Sequence, residues 1–475
     1  MHSPRPSTPV RRNTPLIVLL ALLLGTGVLT VGGCAITVSR SSPSGEDVII
    51  APADTSVLRG TDGGPIDELA AATVLDVQSY WRTTFERTFG MPWRDLSGGF
   101  YSVDTSDPQA SPPPCLEMSA QLRGNAFYCA DTDAIAWDRA VLLPALRERY
   151  GDGGVVVVLA HEVGHAVHNR LGIDPALEQR QPGRYPTVLT EAMADCYAGS
   201  FVRWVAEGNA EHLRLDEERL DLALSALVTF RDPVGIAAED IQAHGNAFDR
   251  VSAFQDGYQE GPQRCADFSV ANRTFTQERF ATVDDLRRGG NLRFADLVRS
   301  IIPDLDAYFA GLVTARGGQW QPPQLRPDQQ SLECTGKQGP AAFCPAAIGS
   351  TDVDTLELDT SGQLPELHAE IGDYSTGTLL ASRYSLAALD ALGLPTEGES
   401  ARRGVLCLAG TYTGTLLQRT DSFGLSPGDL DEAVQVLLGF DYVSRDISGR
   451  GLASGFARVE EFRAGTLDGV AACDL

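Results

Sequence analysis

The sequence predicts an α+β fold, mainly helical, built as two homologous domains that each carry a small sheet ahead of a central helix. Three observations predict it. The chain has 475 residues, 43% hydrophobic and 21% charged, which is globular material and excludes a disordered, collagen-like or coiled-coil bulk. That length suits two or three domains. The sequence also repeats itself, and its cysteines fall into two matching sets of four beyond Cys34. A net charge of −25 argues against nucleic acid or an anionic membrane surface as a partner.

Residues 1–34 read as a targeting segment. Arg5, Arg11 and Arg12 precede an apolar run from Leu16 to Val31, and Val31-Gly32-Gly33 leads into Cys34. A basic region, an apolar stretch and small residues make an export signal. Small residues before a cysteine also resemble a bacterial lipobox, with Cys34 lipidated. An uncleaved anchor and plain secretion are the alternatives. All three place the body outside the cytoplasm, and the first two at the extracytoplasmic face of the cell membrane. Residues 35–64, rich in Ser, Gly, Pro, Asp and Thr from residue 39 on, are expected to be a flexible tether.

The repeat divides the remainder. Asp76, Tyr80, Trp81 and Gly90 find counterparts in Asp304, Tyr308, Phe309 and Gly318. Gly151-Asp152, His161 and Leu171-Gly172 match Gly372-Asp373, Ser382 and Leu392-Gly393 without a gap. Cys196-Tyr197-Ala198-Gly199 recurs as Cys407-Leu408-Ala409-Gly410, and Leu220-Asp221 as Leu430-Asp431. Arg250-Val251, Phe254, Gly257 and Cys265 recur as Arg458-Val459, Phe462, Gly465 and Cys473. The order never changes. The domains are therefore set at 65–275 and 290–475, with 276–289 as a connection. An even cysteine count in an exported chain favours disulfides. The simplest pairing stays within each copy: Cys115–Cys129 with Cys196–Cys265, and Cys334–Cys344 with Cys407–Cys473. Another pairing within each copy would give one bridge spanning the whole domain. Each bridge constrains the unfolded chain, by about 2–4 kcal/mol.

The first copy carries a metal-site pattern. His161-Glu162-Val163-Gly164-His165 lies in an apolar run from Val155 to Leu171, and Gly172 stands where a helix-ending glycine belongs. Residues four apart share a helical face, so His161 and His165 can reach one cation. Zinc suits imidazole nitrogen, and a catalytic site keeps one position for water. Glu162, beside the ligand face, can take a proton from that water. Downstream, Glu191 and Asp195 are again four apart in a helical pattern. Glu191 can be the third ligand, and Asp195 can accept a hydrogen bond from a ligating histidine. His168 lies near the same face and is expected to pack behind the ligands.

At this point the residues resemble a known group. H-E-x-x-H followed by E-x-x-x-D looks like the gluzincin metallopeptidases, the clan of thermolysin. Residues 75–270 more closely resemble the bacterial neutral zinc metallopeptidase family. The matching pieces are Phe127-Tyr128-Cys129 to Asp138, His161 to His165, Glu191 to Gly199, and His244-Gly245 through Arg250, Phe254, Gly257-Tyr258 and Cys265. The resemblance covers the first copy only. It implies one Zn2+ held by His161, His165 and Glu191, with Glu162 as general base, and it implies peptidase chemistry more firmly than any substrate.

Two further roles are expected. Hydrolysis builds negative charge on the carbonyl oxygen, which a donor opposite the zinc stabilises. His244 is the candidate donor, with Asp240, four residues earlier, as its orienter. Tyr197 is a weaker candidate. Gly124-Asn125-Ala126-Phe127-Tyr128 resembles the edge strand along which thermolysin-like enzymes hold an extended peptide, so Asn125 and Ala126 are candidate substrate-binding residues. The alternative is an internal strand ended by a disulfide. The Gly-Ala-Met-Glu-Asn signature of related aminopeptidases is absent, which points to an endopeptidase.

The second copy lacks this chemistry. In the repeat register His161 becomes Ser382, Glu162 becomes Arg383 and His165 becomes Leu386. Glu191 becomes Arg402, Asp195 becomes Leu406 and His244 becomes Leu452. Such residues cannot hold zinc. The second copy is read as degenerate and inactive. His368 and the run Asp352 to Asp359 are read as a solvated face. The expectation is an exported, membrane-anchored zinc metallopeptidase acting on a peptide or protein. The alternatives are a non-catalytic cell-surface scaffold of two peptidase-like folds, or a zinc amidase for cell-wall crosslinks.

Overall fold

Proline can begin a helix but not continue one, and glycine ends one at positive φ. Helix α1 (Pro65–Phe89) uses both, with Pro65 in its first turn and Gly90 at φ 70° behind it. The structure is a computed structural model that describes residues 48–240, 243–327, 334–346, 353–419 and 423–474. The export segment and Cys34 lie outside them. Among the described residues no helix is long and apolar enough to cross a membrane.

The first half runs β1 (Leu58–Arg59), α1, β2 (Gly99–Val103), β3 (Ala126–Cys129), β4 (Ala134–Asp138), α2 (Leu142–Arg170), α3 (Pro175–Arg180), α4 (Thr187–Ala206), α5 (Glu217–Thr229), α6 (Ala247–Glu260) and α7 (Pro262–Ala266). Its strands lie in the order β1-β2-β4-β3. β3 runs antiparallel to β4, with Phe127 opposite Ala136, while β1 and β2 are parallel to their neighbours. β3 is thus an outer strand. After α8 (Val283–Arg288) the second half runs α9 (Phe294–Ala315), β5 (Gln324–Pro327), α10 (Thr335–Gln338), β6 (Ala341–Cys344), β7 (Thr355–Leu358), α11 (Gln363–Glu370), α12 (Asp373–Ala391), α13 (Glu399–Leu416), α14 (Asp429–Gly439) and α15 (Gly455–Asp468). Its strands lie in the order β5-β7-β6, β5 parallel and β6 antiparallel to the centre. The fold is α+β and mainly helical, with a small sheet completed ahead of α2 in the first half and ahead of α12 in the second.

Glycines carry the shared architecture. Gly151, at φ 65°, breaks α2, so the segment bearing His161 is a helix of its own. Gly372, at φ 139°, separates α11 from α12 at the matching place. A Cβ on Gly257 would lie 1.7 Å from the Cys196 carbonyl oxygen, and one on Gly465 would lie 1.9 Å from that of Cys407. Each pair of helices is therefore pressed backbone to backbone, α4 on α6 and α13 on α15. Cys196–Cys265 and Cys407–Cys473 bridge beside these contacts, both with Cα atoms 5.5 Å apart. Cys115–Cys129 and Cys334–Cys344 tie the outer strands β3 and β6. The helices α5 and α6 pack against α14 and α15, joining the halves.

Two expectations need correction. From Val48 onward the chain is not a flexible tether: Ile49 bridges to Leu213, the Ile50 amide donates to the His212 carbonyl, and Leu58 is buried in β1. Low-complexity composition does not register a backbone bridge to a residue so far along the chain. Nor is the acidic run, from residue 353 on, a solvated face. Its core is β7, central in its sheet and buried along its length, with Glu357 accepting from the Cys334 amide. His368 is half-buried and bonds the Leu292 carbonyl.

Candidate metal centre

The zinc-motif segment of α2 begins with Val155, Val156, Val157 and Val158, all buried. This anchors the helix, and its next turn presents His161, Glu162 and His165. Gly164 lets α4 approach, since a Cβ there would lie 2.7 Å from Ala194 Cα and from the Ala194 carbonyl oxygen. The approach carries Glu191 and Asp195 of α4 onto the histidines. His161 Nε2 lies 3.1 Å from His165 Nε2. Glu191 Oε2 is 3.3 Å from His161 Nε2, and Oε1 is 3.6 Å from His165 Nε2. Nitrogen ligands at the usual zinc distance, in a tetrahedron, stand about 3.3 Å apart. Glu191 Oε2 is buried without a well-formed hydrogen bond. Two imidazole nitrogens and an unsatisfied carboxylate oxygen converging on one point fit a zinc ion.

Outer partners settle which nitrogen is free. His161 Nδ1 donates to Asp195 Oδ1 at 2.7 Å, leaving Nε2 for a metal. Arg250, on α6, clamps Asp195 through two bonds of 2.9 Å and donates to the Phe230 carbonyl. His168 Nδ1 must donate to the Ile173 carbonyl at 2.7 Å, because a carbonyl only accepts. Its Nε2 therefore accepts from His165 Nδ1 at 3.0 Å, and His165 Nε2 is left for the metal. His168 is an orienter rather than inert packing.

The electrostatics favour a cation at this point. Burial opposes charge on His161, but Asp195 and Glu191 outweigh it and push its pKa up to about 10. Burial also works against the Glu191 carboxylate, yet His165, His161 and His244 hold its pKa well below the usual range. His165, by contrast, is driven well down by burial. Burial pushes Glu162 up to about 7, which makes it a stronger base than an exposed glutamate. The Tyr128 amide of β3 hydrogen-bonds Glu162, so this amide on the free strand edge faces the base. Asn125 and Ala126, at the start of that strand, are buried.

His244 sits close enough to Glu191 for each to shift the other. Its orienter is Asp232, not Asp240. Asp232 Oδ1 receives His244 Nδ1 at 3.0 Å, and its other oxygen takes the His244 and Gly245 amides and the Gln277 side chain. Burial opposes protonation of His244, but this bond prevails and its pKa is raised. Asp240 instead accepts from the Ala237 amide and pairs with exposed Arg279. Nearness in sequence does not bring Asp240 to the imidazole, because the Ala243 amide closes a turn onto the Asp240 carbonyl. Tyr197 is a core residue packed edge-on against Trp81. Sequence reasoning missed Asp232, and it gave Arg250 no role. Recurrence of Arg250 as Arg458 was the available signal.

At the matching place in the second half, Arg383 is fully buried. Its guanidinium donates to Gln338 Oε1 and to the carbonyls of Arg445, Tyr442 and Val443. A cation built into the chain thus stands at the place that Glu162 holds in the first half.

No solved structure matches the chain. An uncharacterized protein of Mycobacterium tuberculosis is 30% identical over 164 residues, covering 31% of this chain and 56% of that protein. The uncharacterized protein YpfJ of Escherichia coli K12 is 31% identical over 158 residues, covering 30% and 53%. The chain thus spans about half the length of these curated relatives. Residues 66–268, which hold His161, His165, Glu191 and His244, match the family described as "Putative neutral zinc metallopeptidase".

Proposed function

We propose that the protein is a zinc-dependent peptidase whose chemistry resides in the first half. One observation carries this reading: His161 Nε2, His165 Nε2 and a Glu191 oxygen converge beside a buried Glu162. These three side chains would hold the ion. Zinc supplies a Lewis acid that polarises the carbonyl and acidifies water. Glu162 accepts the proton of the attacking water and returns it to the leaving amine. His244, kept protonated by Asp232, donates to the carbonyl oxygen as negative charge grows there. Asp195 and His168 hold the two ligand rings. The free edge of β3 pairs with an extended substrate backbone, which suits cleavage within a chain and recognition independent of sequence. The N-terminal segment would export the enzyme and anchor it at the membrane, by a lipid on Cys34 or by an uncleaved helix. The second half, with Arg383 in place of a base, is non-catalytic and derives from duplication of the first.

The test compares wild type and Glu162→Gln on a quenched peptide library. The variant should keep its zinc and lose about 10²–10⁴-fold in turnover. Equal turnover in both, or no cleavage by zinc-loaded wild type, would defeat the proposal.

A further inference from the structure

The two halves cap each other. Asp221, on α5, accepts the Gly455 and Phe456 amides at the start of α15 and the Ser454 hydroxyl. Asp431, on α14, accepts the Ala247 amide at 2.7 Å and the Phe248 amide at the start of α6. Asp221 and Asp431 are the same position of the repeat, and α15 is the counterpart of α6. The contact is thus reciprocal: each half sends one aspartate to the other's equivalent helix start. Negative charge at a helix N-terminus meets unpaired amides and the positive end of the dipole. Around the caps, Gln255 donates to the Phe456 carbonyl, Arg463 pairs with Asp256, and Tyr258 packs on Phe456. Self-complementary contact of this form is what a twofold axis produces between identical subunits.

The reciprocity has unequal consequences. Asp431 Oδ2 also meets Arg231 Nε at 3.0 Å, and the next residue is Asp232, which orients His244. One turn past Ala247, α6 presents Arg250, which clamps Asp195, which orients His161. Asp431 thus underpins both approaches to the metal centre. Its mirror image Asp221 underpins α15, where Arg458 reaches only carbonyls such as those of Leu437 and Leu452. We propose that the second half occupies the place of a second subunit in a twofold pair, and that Asp431, which it supplies, is a positioning residue for the metal centre.

This rests on the metal reading above, so the experiment separates the two. In the full chain, Asp431→Asn is compared with Asp221→Asn. Three quantities are read: zinc affinity by chelator competition, kcat and KM on a peptide, and amide exchange of the metal-free protein. Asp431→Asn should speed exchange in the first turn of α6, weaken zinc about 3–10-fold and lower kcat with KM little changed, a smaller loss than removing a direct outer partner gives. Asp221→Asn should speed exchange at the start of α15 and leave zinc affinity and kcat within about twofold. Should Asp431→Asn not fold, Arg231→Gln removes the ion pair from the exposed side and should shift zinc affinity and kcat the same way. Equal losses from the two aspartate variants would overturn the proposal, as would an Asp431→Asn chain with loosened α6 but unchanged zinc affinity and kcat. Failure of wild type to bind zinc would defeat the metal reading instead, and that shows in the wild-type titration alone. Exchange on the metal-free chain then still decides whether Asp431 holds α6, and an unchanged α6 overturns it.

Discussion

His168 shows how a single carbonyl sets the chemistry of a ligand two residues of contact away. Ile173 can only accept, so His168 must give its Nδ1 proton there and receive from His165. Removing this acceptor frees the His165 ring to turn or change tautomer. His168→Ala should weaken zinc about 10–100-fold in chelator competition, whereas His168→Gln, whose amide oxygen can still accept, should recover most of that loss. Wild-type affinity in both variants would mean the bond does not orient His165. Much of the centre was legible residue by residue, because His161, His165, Glu191 and Asp195 follow the helical spacing of four. Asp232 was not. It reaches His244 across a loop, and no periodicity links residues 12 apart in such a segment.

At the level of elements, backbone contact between helices is the organising feature. Gly257 faces the Cys196 carbonyl so closely that any side chain must force α6 away from α4. Gly257→Ala should destabilise by about 1–3 kcal/mol or more, by overpacking. Gly311, in α9, meets nothing within 4 Å, and Gly311→Ala should stabilise by about 0.5–1 kcal/mol. Thermal or urea unfolding checks the pair, and similar values for both would contradict the close-packing account. Recurrence of Gly257 as Gly465, and of the cysteines, was visible in the sequence, and only the packing explains it. Strands were harder to read. β1 is two residues long, and β7 hides Glu357 among apolar neighbours, so neither shows the pattern of a half-buried strand. The lone acidic residue of β7 looks like surface until β5 and β6 are placed on either side.

Across the whole molecule, charge is concentrated as well as abundant. Asp373, Asp429 and Glu432 lie buried together where α12 and α14 meet, with carboxylate oxygens within 4.8 Å of one another. Burial raises all three, Asp373 to about 6 and Glu432 to about 8, and repulsion from the neighbouring carboxylates adds to it at Asp429 and Glu432. A folded-state pKa above the unfolded value means stability that is complete below the unfolded pKa and is lost as pH rises through the folded one. For Glu432 the window runs from 4.5 to about 8. The melting temperature should therefore fall across that window, and Glu432→Gln should flatten the fall. A profile unchanged by the substitution would place the loss elsewhere. The joint between the halves belongs to this scale too: Asp221 and Asp431 were visible as a recurring pair, but not what either touches, because a helix start in the other half is defined only once both halves fold.

On the reading proposed above, the first half of the chain holds a metal and the second does not. Zinc content of the purified chain, measured beside Glu191→Ala after reconstitution, tests it most directly. The expected result is close to one zinc per chain, lost in the variant. Near-zero zinc in the wild type would contradict the metal centre, and two zincs per chain would contradict the reading of Arg383 and the second half.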